Sequence, residues 1–384
     1  LHFTQVFNII SGNGLVSQPA FLPVQKNLIL IGRNFDMKIL HKPLISLLVL
    51  LFNTQFIFAQ NPSAVPRKEA STTVRTIPLE SMTMSDPFIL ADPVTKMYYM
   101  TGSGGVMWKS PNLKIWEGPY TIAQIDPNSW MGPKPAIWAA ELHYYKGRYY
   151  YFATFTNKNI IVDKVPNRYD VQRRASHILM SEKVTGPYKP MNDKIYLPAN
   201  QSTLDGTFWV EDGTPYMIYC HEWMQIVDGT MDMIQLSSGL TESVGKPITL
   251  FKASDAPWVR EMNSIGEITF GMKLGGYVTD APFLFKTQTG KLGMLWSSWG
   301  SQRYAQGVAY SASGKLKGPW LQEKEPLVPK NSGHGMLFKT FDGKLLMSLH
   351  YQGLDPNNPG PRKPMLLEVD DSSDKLKILG PYNP

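Results

Sequence analysis

The sequence predicts an all-β chain folded as a five-bladed β-propeller. Three observations carry that prediction: a composition hostile to long helices, many short strand-like runs, and an internal repeat. Among 384 residues there are 31 Gly, 30 Pro and 12% aromatics. Gly and Pro interrupt helices. Abundant aromatics with only 18% charged residues exclude a disordered chain. A single cysteine, Cys220, excludes an intrachain disulfide framework and a Cys-rich zinc site.

Along the chain, the first 59 residues are expected to lie outside the folded domain. Residues 44–59 form an apolar run preceded by Lys38, His41 and Lys42 and ending in Ala59. That is the pattern of a secretory signal peptide over 37–59, with 1–36 as an upstream extension and 60–77 as a linker or N-terminal segment. The expected location is therefore secreted or periplasmic, with no membrane attachment after cleavage. The formal charge of +7 includes Lys26, Arg33, Lys38, Lys42 and Asp36 from this segment, so the remaining chain carries only +4. The densest basic cluster, Gln172-Arg173-Arg174, reads as solvated surface, and no nucleic-acid partner is expected.

From residue 78 to 384 the pattern is of short apolar runs bounded by turn residues, such as Met97–Met100, Tyr149–Ala153, Tyr216–Tyr219, Leu292–Trp296 and Leu345–Leu349. Each follows a polar residue, a first short strand and a Gly-containing or polar turn, which describes a β-hairpin with a polar residue at its entrance. Five such units align, with entrance residues Asp86, Glu141, Asp205, Asp280 and His334 spaced 54 to 75 residues apart. A second element, a Ser-bearing strand and a Gly-Pro-aromatic turn, follows at Ser110 and Gly118-Pro119-Tyr120, at Ser181 and Gly186-Pro187-Tyr188, and at Ser311 and Gly318-Pro319-Trp320. Hairpin plus outer strands makes a four-stranded sheet, and five sheets make the ring.

In a propeller the first strand of each blade lines the axis. If the five entrance positions are equivalent, four carboxylates and a histidine converge there. Like charges at close range oppose each other's ionisation, so such convergence points to chemistry. Paired carboxyl groups hydrolyse glycosidic bonds, one protonating the leaving oxygen and the other activating water. Trp138, Trp209, Trp223, Trp258, Trp296 and Trp299 lie near these positions or in neighbouring loops, as stacking surface for sugars or as packing between blades. There is no HExxH, CxxC or phosphate loop, and Gly102-Ser103-Gly104-Gly105 is not followed by a helical pattern.

Five segments carry a family resemblance: Ser85-Asp86-Pro87-Phe88-Ile89, Ile137-Trp138-Ala139-Ala140-Glu141-Leu142, Leu204–Val210, Asp280-Ala281-Pro282-Phe283 and Gly333-His334-Gly335. In this order they resemble glycoside hydrolase family 43, the inverting propellers that act on arabinose- and xylose-containing glycans. The resemblance implies that Asp86 is the base, Asp205 the modulator of the acid's pKa, and Asp280 the acid. It makes Glu141 a supporting residue that touches ligand or water. The acid segment departs from the family's Glu-Gly-Pro, and Asp is one methylene shorter. Glu222, in Cys220-His221-Glu222-Trp223, is the substitute to weigh. His221, Glu222 and Trp223 join Trp138, Trp209 and Trp299 as candidate substrate contacts. The resemblance also places a hydrated Ca²⁺ near His334, as a structural ion; no cofactor is required for the chemistry. The expected partner is an oligosaccharide or polysaccharide with arabinofuranosyl, xylosyl or galactofuranosyl linkages. The alternative is a non-catalytic sugar-binding propeller with an impaired acid.

Overall fold

The computed structural model describes residues 73–384 apart from 264–266, 268–270, 356–357 and 359. The extension and signal peptide expected within 1–59 lie outside the described residues. Within those described, no helix is long and apolar enough to cross a membrane.

The described residues form five antiparallel sheets that follow one another along the chain. Blade one contains β1 (Arg75–Pro78), β2 (Phe88–Ala91), β3 (Tyr98–Thr101), β4 (Val106–Ser110) and β5 (Ile115–Thr121). Blade two contains β6 (Ala136–Tyr145), β7 (Arg148–Asp163), β8 (Val171–Ser181) and β9 (Lys189–Pro190). Blade three contains β10 (Thr203–Glu211), β11 (Thr214–His221), β12 (Thr230–Leu236) and β13 (Ser243–Lys252), with a one-turn helix α1 (Trp223–Ile226) after β11. Blade four contains β14 (Asp280–Lys286), β15 (Leu292–Gly300), β16 (Arg303–Ser311) and β17 (Trp320–Gln322). Blade five contains β18 (Ser332–Lys339), β19 (Leu345–Tyr351), β20 (Lys363–Asp370) and β21 (Lys377–Pro381). The first strands touch in cyclic order, β2 to β6 to β10 to β14 to β18 and back to β2, which closes the propeller.

The apolar runs seen in the sequence are the second strands of the blades. They are buried on both faces, which explains why they are continuous rather than alternating. Each seam between neighbouring blades holds its own hydrophobic cluster. Trp296, Trp258 and Met294 fill the seam of blades three and four, and Phe152, Tyr219 and Ile178 that of two and three. The seam that joins the two ends of the ring packs Met100, Trp116 and Phe88 against Met336, Phe338 and Leu346.

Two expectations are corrected here. The propeller, expected from residue 78, already includes β1 from Arg75, which pairs along the outer strand β5 and makes blade one five-stranded. Of the three Gly-Pro-aromatic sites, Gly118-Pro119-Tyr120 lies inside β5 rather than in a turn, because β1 holds that strand from its other side.

Candidate active site

The first strands of blades two to five, and the segment just before β2 in blade one, each carry one residue with a left-handed backbone: Asp86 (φ 60°), Ala139 (44°), Asp205 (54°), Ala281 (57°) and His334 (57°). In blades two to five the pairing register slips across this residue, between Trp138 and Glu141, Leu204 and Thr207, Asp280 and Phe283, and Gly333 and Met336. These are β-bulges, which bend a strand and re-aim its side chains. They also define which residues are equivalent. Asp86, Asp205 and His334 share the bulge position, whereas Asp280 stands one residue before it and Glu141 two after. The five entrance residues are therefore not equivalent, and the simple ring of carboxylates is corrected to a layered arrangement.

A bulge frees a backbone N–H from its ladder, and a buried N–H needs a partner. The preceding blade supplies it each time. His350 Nδ1 accepts from Asp86 N–H at 3.1 Å, Ser103 Oγ from Ala139 at 3.1 Å, Thr154 Oγ1 from Asp205 at 2.8 Å and Ser297 Oγ from His334 at 2.9 Å. In blade three the residue opposite Leu204 is Cys220, in the place held by Thr154, Ser297 and His350 in their own blades. There the Asp205 carboxylate takes over, accepting from Ala281 N–H at 3.1 Å. Asp205 thereby holds the backbone next to Asp280.

Asp86 is the most firmly held carboxylate. Ser103 donates to its Oδ2, and His334 Nδ1 lies 3.3 Å from its Oδ1. A Cβ at Gly102 would meet Ser85 O at 2.6 Å and Asp86 O at 2.7 Å, so the glycine lets the Ser103 turn close on the base. Burial opposes ionisation of Asp86, but His334 above all, together with Arg362, outweighs it and holds the carboxyl well below the usual range. His350 accepts the Asp86 N–H, and burial lowers its own pKa to about 4, so it is a neutral ring near neutral pH.

Asp280 and Asp205 behave in the opposite sense. Burial raises Asp280 to about 7, with Asp86 and Glu222 adding to the rise and the Tyr304 hydrogen bond opposing it. Burial likewise raises Asp205, helped by Asp280 and Asp86 and opposed by His334. His334 Nδ1 is 4.0 Å from Asp205 Oδ2, so one imidazole faces two carboxyls of opposite tendency.

The other expected contacts separate. Glu222 is enclosed: Arg174 binds its Oε1 and Ser202 donates to its Oε2 at 2.6 Å. With both oxygens engaged and a guanidinium beside it, it is poorly suited to donate a proton in place of Asp280. Trp138 carries the Arg174 guanidinium 4.1 Å over its ring, and Trp299 meets Tyr304 edge-on at 5.9 Å; both belong to the neighbourhood of the carboxylates. His221 lies 3.0 Å from Gln225 Oε1. Trp223 is buried against Met262 and Leu274 in a small cluster behind the rim. Trp209 is four residues along β10 from Asp205, about 13 Å at the rise of a strand, and packs toward the blade core. That position suits packing, not the sugar contact expected of it. Trp258 and Trp296 are buried core residues.

Glu141 lies deeper along the axis, 2.8 Å from His143 Nε2 and accepting from Thr207 Oγ1 at 2.8 Å. A cavity of about 10 Å³ near it is lined by Asp86, Glu141, His334, Phe88, Phe283 and Met336, among others, room for about one water. Among the described residues no group of three His, Cys, Asp or Glu is arranged to hold a metal. Glu141 is engaged by His143 and Thr207 and His334 turns Nδ1 toward Asp86, so a calcium ion beside His334, which takes six to eight oxygens, would draw most of its ligands from water.

Residues missed from the sequence are Ser103, Arg174, Tyr304, His350 and Arg362. Ser103 sits in the Gly-rich turn noted for its glycines, and Arg174 in the basic cluster read as surface. In fact the Arg174 side chain is only 12% exposed. Tyr304 gave no signal, being one aromatic in a strand of ordinary pattern.

Comparison with known proteins agrees with this geometry. The model of the family described as glycosyl hydrolases family 43 matches residues 75–375. A solved endo-arabinase from Bacteroides thetaiotaomicron is 35% identical, with TM-score 0.65, over 76% of this chain and 96% of that one. An endo-1,4-beta-xylanase from the same organism is 20% identical, with TM-score 0.58, over 80% and 97%. An alpha-L-arabinofuranosidase from Lactobacillus brevis is 16% identical, with TM-score 0.56, over 80% and 100%; at these identities the last two show the shared fold alone. No curated protein matches the chain. With a family match across nearly the whole described propeller and three carboxylates gathered at its axis, the chain belongs to glycoside hydrolase family 43.

Proposed function

We propose that the protein hydrolyses α-L-arabinofuranosyl linkages in an arabinan-type polysaccharide or oligosaccharide, by a single displacement that inverts the anomeric centre. The observation that carries the reading is the opposed setting of two buried carboxyls, Asp86 held by Ser103 and His334, which favour its ionised form, and Asp280 under the Tyr304 hydroxyl, where burial favours the neutral acid. The 35% identity to an endo-arabinase favours arabinose over xylose or galactofuranose. The apolar leader expected over 37–59 would deliver the enzyme to the compartment where such polymers are met.

Asp86 removes a proton from a water, which attacks the anomeric carbon as the glycosidic bond breaks. Asp280 gives its proton to the departing oxygen. Asp86 ends protonated and Asp280 ionised, and exchange with solvent restores both. Asp205 contributes twice: it fixes the Ala281 N–H beside the acid, and it shares the buried site with Asp280, each opposing the other's ionisation. Ser103 fixes the base.

The test is a panel of aryl α-L-arabinofuranosides, β-D-xylosides and β-D-galactofuranosides together with linear arabinan, with the first anomer formed followed by NMR. Turnover of arabinose substrates to the β-anomer, lost in Asp86→Asn, is expected. Release of the α-anomer would overturn the single displacement. Saturable binding without Asp86-dependent turnover would establish the sugar-binding propeller instead.

A further inference from the structure

Two rings stand between the base and the acid. Tyr304, near the start of β16, donates its hydroxyl to Asp280 Oδ2 at 3.0 Å. Its ring lies parallel to His350 in an offset stack, with centroids 5.6 Å apart and 5° between the planes. His350 in turn accepts the N–H of Asp86. Both rings are buried, Tyr304 at 5% and His350 at 2% exposure. A Cβ on Gly333 would come within 2.6 Å of the Tyr304 ring, so the glycine lets blade five close over it, while Trp299 meets the ring edge-on. Burial, with Asp280 and the other carboxyls, raises Tyr304 well above its ordinary pKa, which keeps the hydroxyl a donor.

We infer that Tyr304 is the positioning residue of the acid: its hydroxyl locks the rotation of the Asp280 carboxyl, and its stack on His350 sets that carboxyl relative to Asp86. This rests on the reading of Asp280 as the acid. A carboxyl turns easily about its last torsion. A donor fixed on Oδ2 makes that oxygen the acceptor and leaves the acidic proton on Oδ1, where the departing oxygen can take it. A ring that served packing alone would not need its hydroxyl. Proton donors lose efficiency steeply when displaced by about 1 Å, so removal of the hydroxyl acts on protonation of the leaving group and on nothing else in the reaction.

Tyr304→Phe keeps the ring and removes the hydroxyl. Aryl arabinofuranosides with dinitrophenyl and with phenyl leaving groups separate its effects, because a dinitrophenolate departs without a proton. The expected result is a loss in kcat of roughly 10- to 100-fold on the phenyl glycoside, less than about threefold on the dinitrophenyl glycoside, and an unchanged KM. The near-normal rate on the activated substrate also reports an intact fold. Because the Tyr304 hydrogen bond favours the charged form of Asp280, the alkaline limb of the pH profile moves to higher pH. Added to Asp280→Asn, the change costs less than about twofold more. Should Tyr304→Phe fail to fold, Gly333→Ala, which crowds the same ring, is expected to show the same leaving-group dependence. Equal losses on both substrates, or losses that multiply in the double variant, would overturn the inference. If Asp280→Asn itself shows no leaving-group dependence, the acid assignment falls, and the inference falls with it by a separately recognisable route.

Discussion

Replacing Asp280 by Asn should stabilise the protein at alkaline pH and leave it nearly unchanged at acidic pH. The substitution preserves shape, and the amide oxygen still accepts from Tyr304. What it removes is a charge that burial disfavours. Asp280 rises from 3.8 to about 7 on folding, roughly three pH units, which at ~1.4 kcal/mol per unit sets a ceiling of ~4 kcal/mol. The sign follows from linkage. A carboxyl with a raised folded pKa favours the native state below its unfolded value, and that advantage is lost as pH climbs through about 7. Asp205 opposes the same ionisation and shares the penalty, so a gain of about 2–4 kcal/mol at pH 8 is expected. For a domain of this size that is a rise in Tm of roughly 3–6 °C. At pH 4 the folded carboxyl is neutral and the unfolded one only partly ionised, so the Tm difference should shrink to a small fraction of that at pH 8. Calorimetry of wild type and Asp280→Asn at pH 4, 6 and 8 measures the difference directly. An equal Tm shift at pH 4 and pH 8 would refute the claim that a buried charge at Asp280 is costly.

Further outcomes follow from the same geometry. Asp86→Asn should cut kcat by at least ~10³-fold with substrate affinity retained, measured by steady-state kinetics and by titration calorimetry with arabino-oligosaccharides. The pH profile of kcat/KM should fall as pH rises past about 7, where the pair containing Asp280 loses its proton, while the acidic limb stays below the usual carboxylate range because Asp86 is ionised there. Gly102→Ala should lower kcat more than ~10-fold, since its Cβ would press on Ser85 O and Asp86 O and displace Ser103; a crystal structure would show the shifted turn. Arg174→Ala leaves Glu222 buried without its cation and should cost ~3–5 kcal/mol in denaturant unfolding, much of it recovered by adding Glu222→Gln.

The blade repeat was legible because second strands buried on both faces stand out as apolar runs, and because their hairpins close on Gly or a polar residue. Asp86, Asp205 and His334 were legible because each is the left-handed residue at the same point of its blade. Asp280 and Glu141 were found in the right segments but in the wrong layer. A bulge changes register by one residue, which redirects every side chain near it, and nothing in Thr279–Phe283 announces where the slip falls. Tyr304 and His350 lie on strands two and three, where an inward aromatic or histidine looks like core. Arg174 looked like surface because its partner, Glu222, is 48 residues away in sequence.

The bulge contacts also give the ring a direction. Every blade extends its side chain forward to the loosened N–H of the blade that follows, and none reaches back in the same way. A blade is thus one half of a lock and one half of a key, and it fits only between its own two neighbours. Moving the chain ends to another inter-blade loop would keep all five matches and should preserve the enzyme. Deleting or doubling a blade would create one mismatched junction and replacing a blade in place would create two, and the first thing lost would be the alignment of Asp86 with Asp280, well before the hydrophobic seams gave way.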